Sequence, residues 1–342
     1  MSEIKGIDVA NVTAWFEANV AGASGPLQFD LIAGGHSNLT YGVTDAGGRR
    51  YVLRRPPLGQ VLASAHDMGR EHKIISALGS TDVPVAPALG LCTDESVNGA
   101  PFYVMDFVDG RVLRDAEAGR AIEPAARRNA SLSIADTLAR IHAIDPDAVG
   151  LGDLGKKEGY IARQLKRWFS QFEQSQTRDL PRIREVHDAL AARIPEQGPA
   201  AIVHGDYRLD NCMTNDDGEV IAVLDWEICT LGDPLADVGL LMVYWTEADD
   251  AYGALPTAPT TVEGFLTRKE VLDRYAEASG RDLSQIDFYT AFGYWKLACI
   301  VEGVYARYVG GAMGKDASGY EVFALQVERC ADAAAEAVER LG

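Results

Sequence analysis

The sequence predicts an α+β fold of two lobes. Three observations carry that expectation. Strand-like runs broken by tight turns fill the chain up to Val108, helical patterns dominate beyond it, and Asp109-Gly110 marks the change as a hinge. The expected division is therefore residues 1–108 and residues 109–342, and a chain of 342 residues is long enough for both.

In chain order, Val9, Val12, Phe16 and Val20 recur at helical spacing, so a short leading helix is expected over Val9 to Val20. Two strands follow within Phe29 to Val43, with the bend Gly34-Gly35-His36-Ser37-Asn38 between them. Arg50 to Arg54 is a third strand, stopped by Pro56-Pro57, and the three make an antiparallel meander. Val61 to Leu78 has helical periodicity and Gly79 as its stop. Ala88 to Thr93 and Phe102 to Val108 complete five strands, with a turn between them. Past the hinge, helices are expected over Pro124 to His142, Tyr160 to Gln174, Ile183 to Arg193 (separated from its predecessor by Pro181), Leu235 to Trp245, Thr267 to Ala278, Ser284 to Tyr308 and Gly319 to Leu341.

Composition narrows the function classes. Hydrophobic residues make up 47% and charged residues 24%, an ordinary globular balance. No apolar run nears the roughly 18 residues of a membrane span, and the first residues lack a signal-peptide pattern. Five unclustered cysteines (Cys92, Cys212, Cys229, Cys299, Cys330) suit reduced thiols, so a cytoplasmic protein is expected. A net charge of −18 argues against nucleic acid or an anionic membrane as the main partner.

The chemistry concentrates in His204-Gly205-Asp206-Tyr207-Arg208-Leu209-Asp210-Asn211 and in Leu224-Asp225-Trp226. Between them Asn215-Asp216-Asp217-Gly218 reads as a hairpin turn, which would return Asp225 toward Asn211 and Asp206. A carboxylate able to take a proton, with an amide oxygen and a second carboxylate for one divalent ion, is the apparatus of phosphoryl transfer.

With these residues in place, the chain resembles the aminoglycoside phosphotransferase and choline-kinase-like family, of protein-kinase-like two-lobed fold. The resemblance runs from about Phe29 to the last helices and includes Gly232-Asp233-Pro234-Leu235-Ala236-Asp237. It implies an ATP- and Mg²⁺-dependent transfer of phosphate to a hydroxyl of a small molecule. Asp206 matches the catalytic base, Asn211 and Asp225 the metal ligands, and His204 a brace. Arg208 is expected either on the γ-phosphate or in an ion pair with Asp210. Asp233 and Asp237 match acids that anchor the loop or cap the next helix. Gly34, Gly35, Ser37 and Asn38 match the loop over the nucleotide phosphates. Arg54 stands where such enzymes usually hold Lys, with Glu71 as its partner; strand alternation lets only one of Arg54 and Arg55 face the cleft. Met105 and Phe107 fall on the expected adenine-binding hinge, between Tyr103 and Val108. The stretches Tyr294-Trp295-Lys296 and Arg307-Tyr308-Val309-Gly310-Gly311 resemble the branch fused to acyl-CoA dehydrogenases, which implies a hydroxyacyl-CoA acceptor. An aminoglycoside acceptor, or a nucleotide-binding pseudokinase with a sensing or scaffolding role, are the alternatives.

Overall fold

The computed structural model describes residues 4–33, 38–58, 67–250, 258–311 and 319–341. The chain forms two compact units. One is Met1–Arg111 with Ile221–Ile228, and the other is Val112–Val220 with Cys229–Gly342.

The first unit begins with helix α1 (Val9–Asn19), which Asp8 caps by accepting from the Asn11 N–H. Strands β1 (Gln28–Ala33), β2 (Leu39–Thr44) and β3 (Arg50–Arg55) follow, then α2 (Met68–Leu78), β4 (Ala88–Cys92), the short helix α3 (Glu95–Asn98) and β5 (Phe102–Asp106). The five strands form one antiparallel sheet in the order β1-β2-β3-β5-β4. One sheet face packs Tyr41, Tyr51, Leu53, Phe102 and Val104 with Phe16 of α1. Phe16 meets Tyr51 edge-on at 5.7 Å, and Trp15 meets Phe102 at 4.9 Å.

Helix α2 is capped by Asp67 and buries Met68, Glu71, Ile74, Ile75 and Leu78, the spacing of a single face. Glu71 therefore sits on an apolar stripe and requires a partner. The predicted turn between β4 and β5 contains α3, because Asp94 caps the Ser96 N–H and Gly99 closes it with φ 70°. Of the helix expected from Val61, the stretch before Asp67 lies outside the described residues.

The chain passes into the second unit within β6 (Arg111–Val112), and α4 (Ala116–Arg120), α5 (Pro124–Ala143), α6 (Tyr160–Ser175) and α7 (Pro181–Ala191) follow. Pro181 does not act as the breaker expected between α6 and α7. It is the first residue of α7, where its missing N–H costs nothing and its fixed φ suits the helix. Strand β7 (Ala201–Val203), β8 (Cys212–Thr214), β9 (Val220–Val223, of the first unit from Ile221) and β10 (Thr230–Gly232) precede α8 (Leu235–Tyr244), α9 (Arg268–Ser279), α10 (Ile286–Val309) and α11 (Glu321–Glu339). β7 and β10 pair antiparallel. The turn after β8 closes through the Asn215 N–H donating to the Glu219 carbonyl, with Gly218 at φ 86°. The capping box of α9 forms as its sequence predicts, between Thr267 and Glu270.

Helix α10 is buried almost all round from Phe288 to Glu302, and Trp295 at its centre donates to the Ile183 carbonyl at 3.0 Å. It lies against α8 at a distance that glycines permit. A Cβ on Gly239 would stand 2.3 Å from the Tyr289 carbonyl oxygen, and one on Gly293 would stand 3.0 Å from Val243 Cγ2. This close approach sets where Asp237 of α8 and Lys296 of α10 can reach. All five cysteines are free and buried, and among the described residues no helix is long and apolar enough to cross a membrane.

Gly239→Ala should therefore lower stability by about 1–3 kcal/mol, since the clash is with backbone that cannot rotate away. Gly303→Ala on α10, where an added Cβ meets only Ser175 Oγ at 3.8 Å, should be neutral or stabilising by up to about 1 kcal/mol. Urea unfolding midpoints of the two variants check the contrast.

Candidate active site

In the second unit, β7 leads directly into His204-Gly205-Asp206, and a 3₁₀ turn over Leu209–Asn211 follows. The loop is held from α8. Asp237, buried, accepts from the His204 N–H at 2.7 Å and the Gly205 N–H at 2.8 Å, one on each carboxylate oxygen. Its Oδ2 also lies 3.3 Å from His142 Nε2, while His142 Nδ1 lies 2.7 Å from the Tyr275 hydroxyl. This network suits a neutral imidazole donating from Nε2 and accepting at Nδ1. Burial pushes the His142 pKa below its ordinary value despite the nearby acid. Burial acts to raise that of Asp237, but the His142 hydrogen bond and the charges around it outweigh burial and hold it below the usual carboxylate range.

Gly205 takes φ 89°, which lets the chain reverse into Asp206. The Asp206 N–H points to His204 Nδ1 at 3.3 Å, so His204 braces the loop. Tyr207 is buried and donates to the Ile134 carbonyl at 2.9 Å. Asp206 keeps a partly exposed carboxylate. Asn211 Nδ2 donates to the Asp206 backbone oxygen at 2.8 Å and to its Oδ2 at 3.0 Å. Both amide hydrogens are thereby directed at Asp206, and the Asn211 Oδ1 is turned away as a hard oxygen donor. Tyr244 is half-buried on α8, and burial pushes its hydroxyl pKa above the ordinary value, with the Asp206 charge acting in the same direction. Arg208 spreads its charge over Asp206 Oδ2 at 3.6 Å and Asp210 Oδ2 at 3.4 Å, and stacks over the Tyr244 ring at 4.7 Å. The ion pair with Asp210, one of its two expected placements, is present.

In the first unit the organising charge is Arg54, 12% exposed. Its Nη2 lies 2.5 Å from Asp225 Oδ1 and 3.8 Å from Glu227 Oε2. Its Nε approaches Glu71 Oε2 at 3.2 Å without hydrogen-bond alignment, so that contact is a charge pair. Burial opposes the Arg54 charge, but Tyr103, Glu71 and Asp225 hold its pKa above the ordinary value. Burial raises that of Glu71, against Arg54 and the Tyr103 hydrogen bond. Glu71 also accepts from Asn38 Nδ2 at 2.8 Å and from the Tyr103 hydroxyl at 2.9 Å. Asn38 Nδ2 reaches Glu227 Oε2 at 3.2 Å as well. Asp225 is the non-glycine with positive φ (64°) among the described residues, a conformation Asp tolerates better than most.

The alternation of β3 sends Arg55 to the opposite face, where it donates to the carbonyls of Gly6, Pro56 and Asn98. Met105 pairs with Val52 across β3 and β5. Phe107 lies under the Arg50 guanidinium at 3.4 Å. Gly34, Gly35 and Ser37 lie outside the described residues.

Sequence reasoning assigned no role to Lys296, Tyr244, His142 or Glu227, and gave Tyr103 only a place on the expected hinge, not its hydroxyl contact with Glu71. A lone cation inside the apolar run Phe292 to Val301 was the available signal for Lys296.

Residues 29–289 match the phosphotransferase enzyme family, and the chain belongs to that family. The chicken (Gallus gallus) acyl-CoA dehydrogenase family member 11 is 35% identical over 326 residues, which cover 93% of this chain and 41% of that protein. The chain spans between 27% and 41% of the length of the first such relatives it matches. The crystal structure of a candidate aminoglycoside phosphotransferase from Ralstonia eutropha JMP134 superposes with a TM-score of 0.84 at 34% identity, over 97% of this chain and 98% of that one. A choline kinase from Cryptosporidium parvum Iowa II has the same fold at 12% identity, with a TM-score of 0.66 over 97% of each chain. The protein-kinase-like fold and the kinship with the acyl-CoA-dehydrogenase branch are as the sequence predicts.

Asp237 and His142 give stability a defined pH dependence. The folded His142 ring resists protonation, so stability should decline as pH falls below about 6.5, where the unfolded ring takes up a proton. The folded Asp237 has a lowered pKa, so its contribution is present above about 3.8 and is lost as pH drops through the folded value. Asp237→Asn should cost about 3–5 kcal/mol near neutrality and shrink the lower acid limb. Urea midpoints from pH 8 to pH 3 test this, and an acid limb of undiminished depth in the variant would place the linkage elsewhere.

Proposed function

We propose that this phosphotransferase is a small-molecule kinase that moves the γ-phosphate of ATP to a hydroxyl, with Asp206 as the base. The observation that carries this reading is the Asp206–Asn211 pair. Asn211 occupies one carboxylate oxygen and the backbone oxygen of Asp206, which leaves the other carboxylate oxygen to take a hydroxyl proton. The acceptor oxygen forms its bond to the γ-phosphorus as the bond to the β-phosphate oxygen breaks, so the products are a phosphate ester and ADP.

Asn211 Oδ1 and the Asp225 carboxylate are hard oxygen donors of the kind Mg²⁺ takes, and the ion, when bound, supplies neutralising charge to the phosphates. Arg54, aimed by Glu71, contributes a guanidinium for the nucleotide phosphates in place of the usual Lys. Asn38 steadies Glu71, and Gly34, Gly35 and Ser37 supply backbone and hydroxyl donors to the phosphates. Met105 and Phe107 belong to the adenine site in this reading, and Arg208 balances charge beside Asp206.

For the acceptor, the second unit offers a groove of about 810 Å³ between α6 and α10. Its lining includes Trp168, Gln171, Thr177, Cys299, Ile300 and Arg307, with no carboxylate among the described residues. A groove that mixes apolar and neutral polar walls with one Arg and no acid favours an uncharged or anionic acceptor, such as a hydroxyacyl-CoA, over a polycationic aminoglycoside. The names of the curated relatives point the same way.

One observation favours a second reading. The 2.5 Å pair of Arg54 with Asp225 sets a guanidinium against a proposed metal ligand, as a nucleotide-binding protein without turnover could retain. Turnover with any acceptor excludes it.

Asp206→Asn is expected to lower kcat by about 10²–10⁴-fold while leaving the Mg-ATP thermal shift intact. ADP release measured with hydroxyacyl-CoA and aminoglycoside panels is expected to respond to the former. Undiminished turnover in Asp206→Asn would remove Asp206 as the base.

A further inference from the structure

Lys296 is a buried cation with no carboxylate within ion-pair distance among the described residues. It sits on α10, 6% exposed, in the middle of the apolar segment Phe292 to Val301. Its Nζ donates to the Gly205 carbonyl at 2.9 Å and lies 5.7 Å from the centre of the Trp168 ring. Taking an ammonium out of water against one carbonyl and one aromatic face is costly, and a Leu or Met there would pack α10 more cheaply. The remaining charges that act on it are Asp206, Asp237 and Arg167.

The contact falls at a particular place. The carbonyl that Lys296 holds and the Asp206 N–H that His204 receives belong to one peptide plane, Gly205–Asp206. The preceding plane is held by Asp237 through the Gly205 N–H. Gly205, at φ 89°, is the residue in this loop freest to rotate. Without Lys296 the Gly205–Asp206 plane would keep only the longer 3.3 Å contact to His204, and its rotation would pull the Asp206 carboxylate against the Asn211 contacts that hold it.

We infer that Lys296 is a positioning residue for the base: its ammonium fixes the Gly205–Asp206 peptide from α10, opposite the Asp237 clamp from α8. Through Trp168 it also ties that plane to the wall of the groove proposed for the acceptor. The catalytic consequence rests on the function proposed above, whereas the restraint on the peptide does not.

Lys296→Met removes the donor, and Lys296→Gln keeps a neutral donor on a shorter arm. In both, amide hydrogen exchange of the 203–209 segment should accelerate at least about tenfold, with α8 and α10 unchanged. Given turnover, kcat should fall at least about thirtyfold in the order Lys, Gln, Met, with the KM values for nucleotide and acceptor within about twofold. A purely structural lysine would instead lower the unfolding midpoint and leave kcat per folded molecule unchanged. Unchanged exchange in folded variants overturns the inference, as does failure of both to fold. Loop exchange that accelerates in a protein phosphorylating no acceptor upholds the restraint and refutes only the proposed function.

Discussion

The carboxylate of Asp237 is the contact on which the candidate active site depends. It lies in the interior of the second unit and spends both oxygens on consecutive backbone N–H groups, those of His204 and Gly205. Backbone donors at the end of a strand have no ladder partner, and leaving them unpaired in the interior would cost about 1–3 kcal/mol each. A buried acid that satisfies them fixes the loop and meets its own desolvation cost in one arrangement. His142 completes the shell from α5, and Tyr275 of α9 fixes the tautomer. Three helices thus determine the conformation of a few residues at the end of β7.

The first unit solves a related problem with the opposite charge. Arg54 projects from a strand into a group of carboxylates, Glu71, Asp225 and Glu227, while Asn38 and Tyr103 take up the remaining acceptor capacity of Glu71. Three acids around one guanidinium leave surplus negative charge. The same strand delivers Arg55 to the other face, where it ties the segment before α1 and the end of α3 to the sheet. Adjacent arginines therefore have unrelated tasks, and the two-residue period of the strand separates them.

Much of this was legible in the sequence because it is local. Strand and helix periods, the Asp-Gly turn, the Thr267 capping box and the His-Gly-Asp stretch each depend on residues a few positions apart. Where local cues compete, the sequence is ambiguous. Pro181 serves equally as a breaker or as a first helical residue, and the stretch between β4 and β5 holds a capped helical turn as easily as a plain one. Asp237 was legible as an anchor from its motif, but which backbone groups it anchors was not.

The sequence by itself determined the α+β class, the family and the residues from which a phosphotransfer site could be assembled. Periodicity and motif spacing are properties of neighbouring residues, so one chain read end to end suffices for them. Only the tertiary structure decided that Arg54 engages Asp225 more closely than Glu71 and that Lys296 reaches Gly205. Those contacts join residues separated by 171 and 91 positions. They exist because sheet register and the glycine-permitted approach of α8 and α10 place the side chains, which no local pattern encodes.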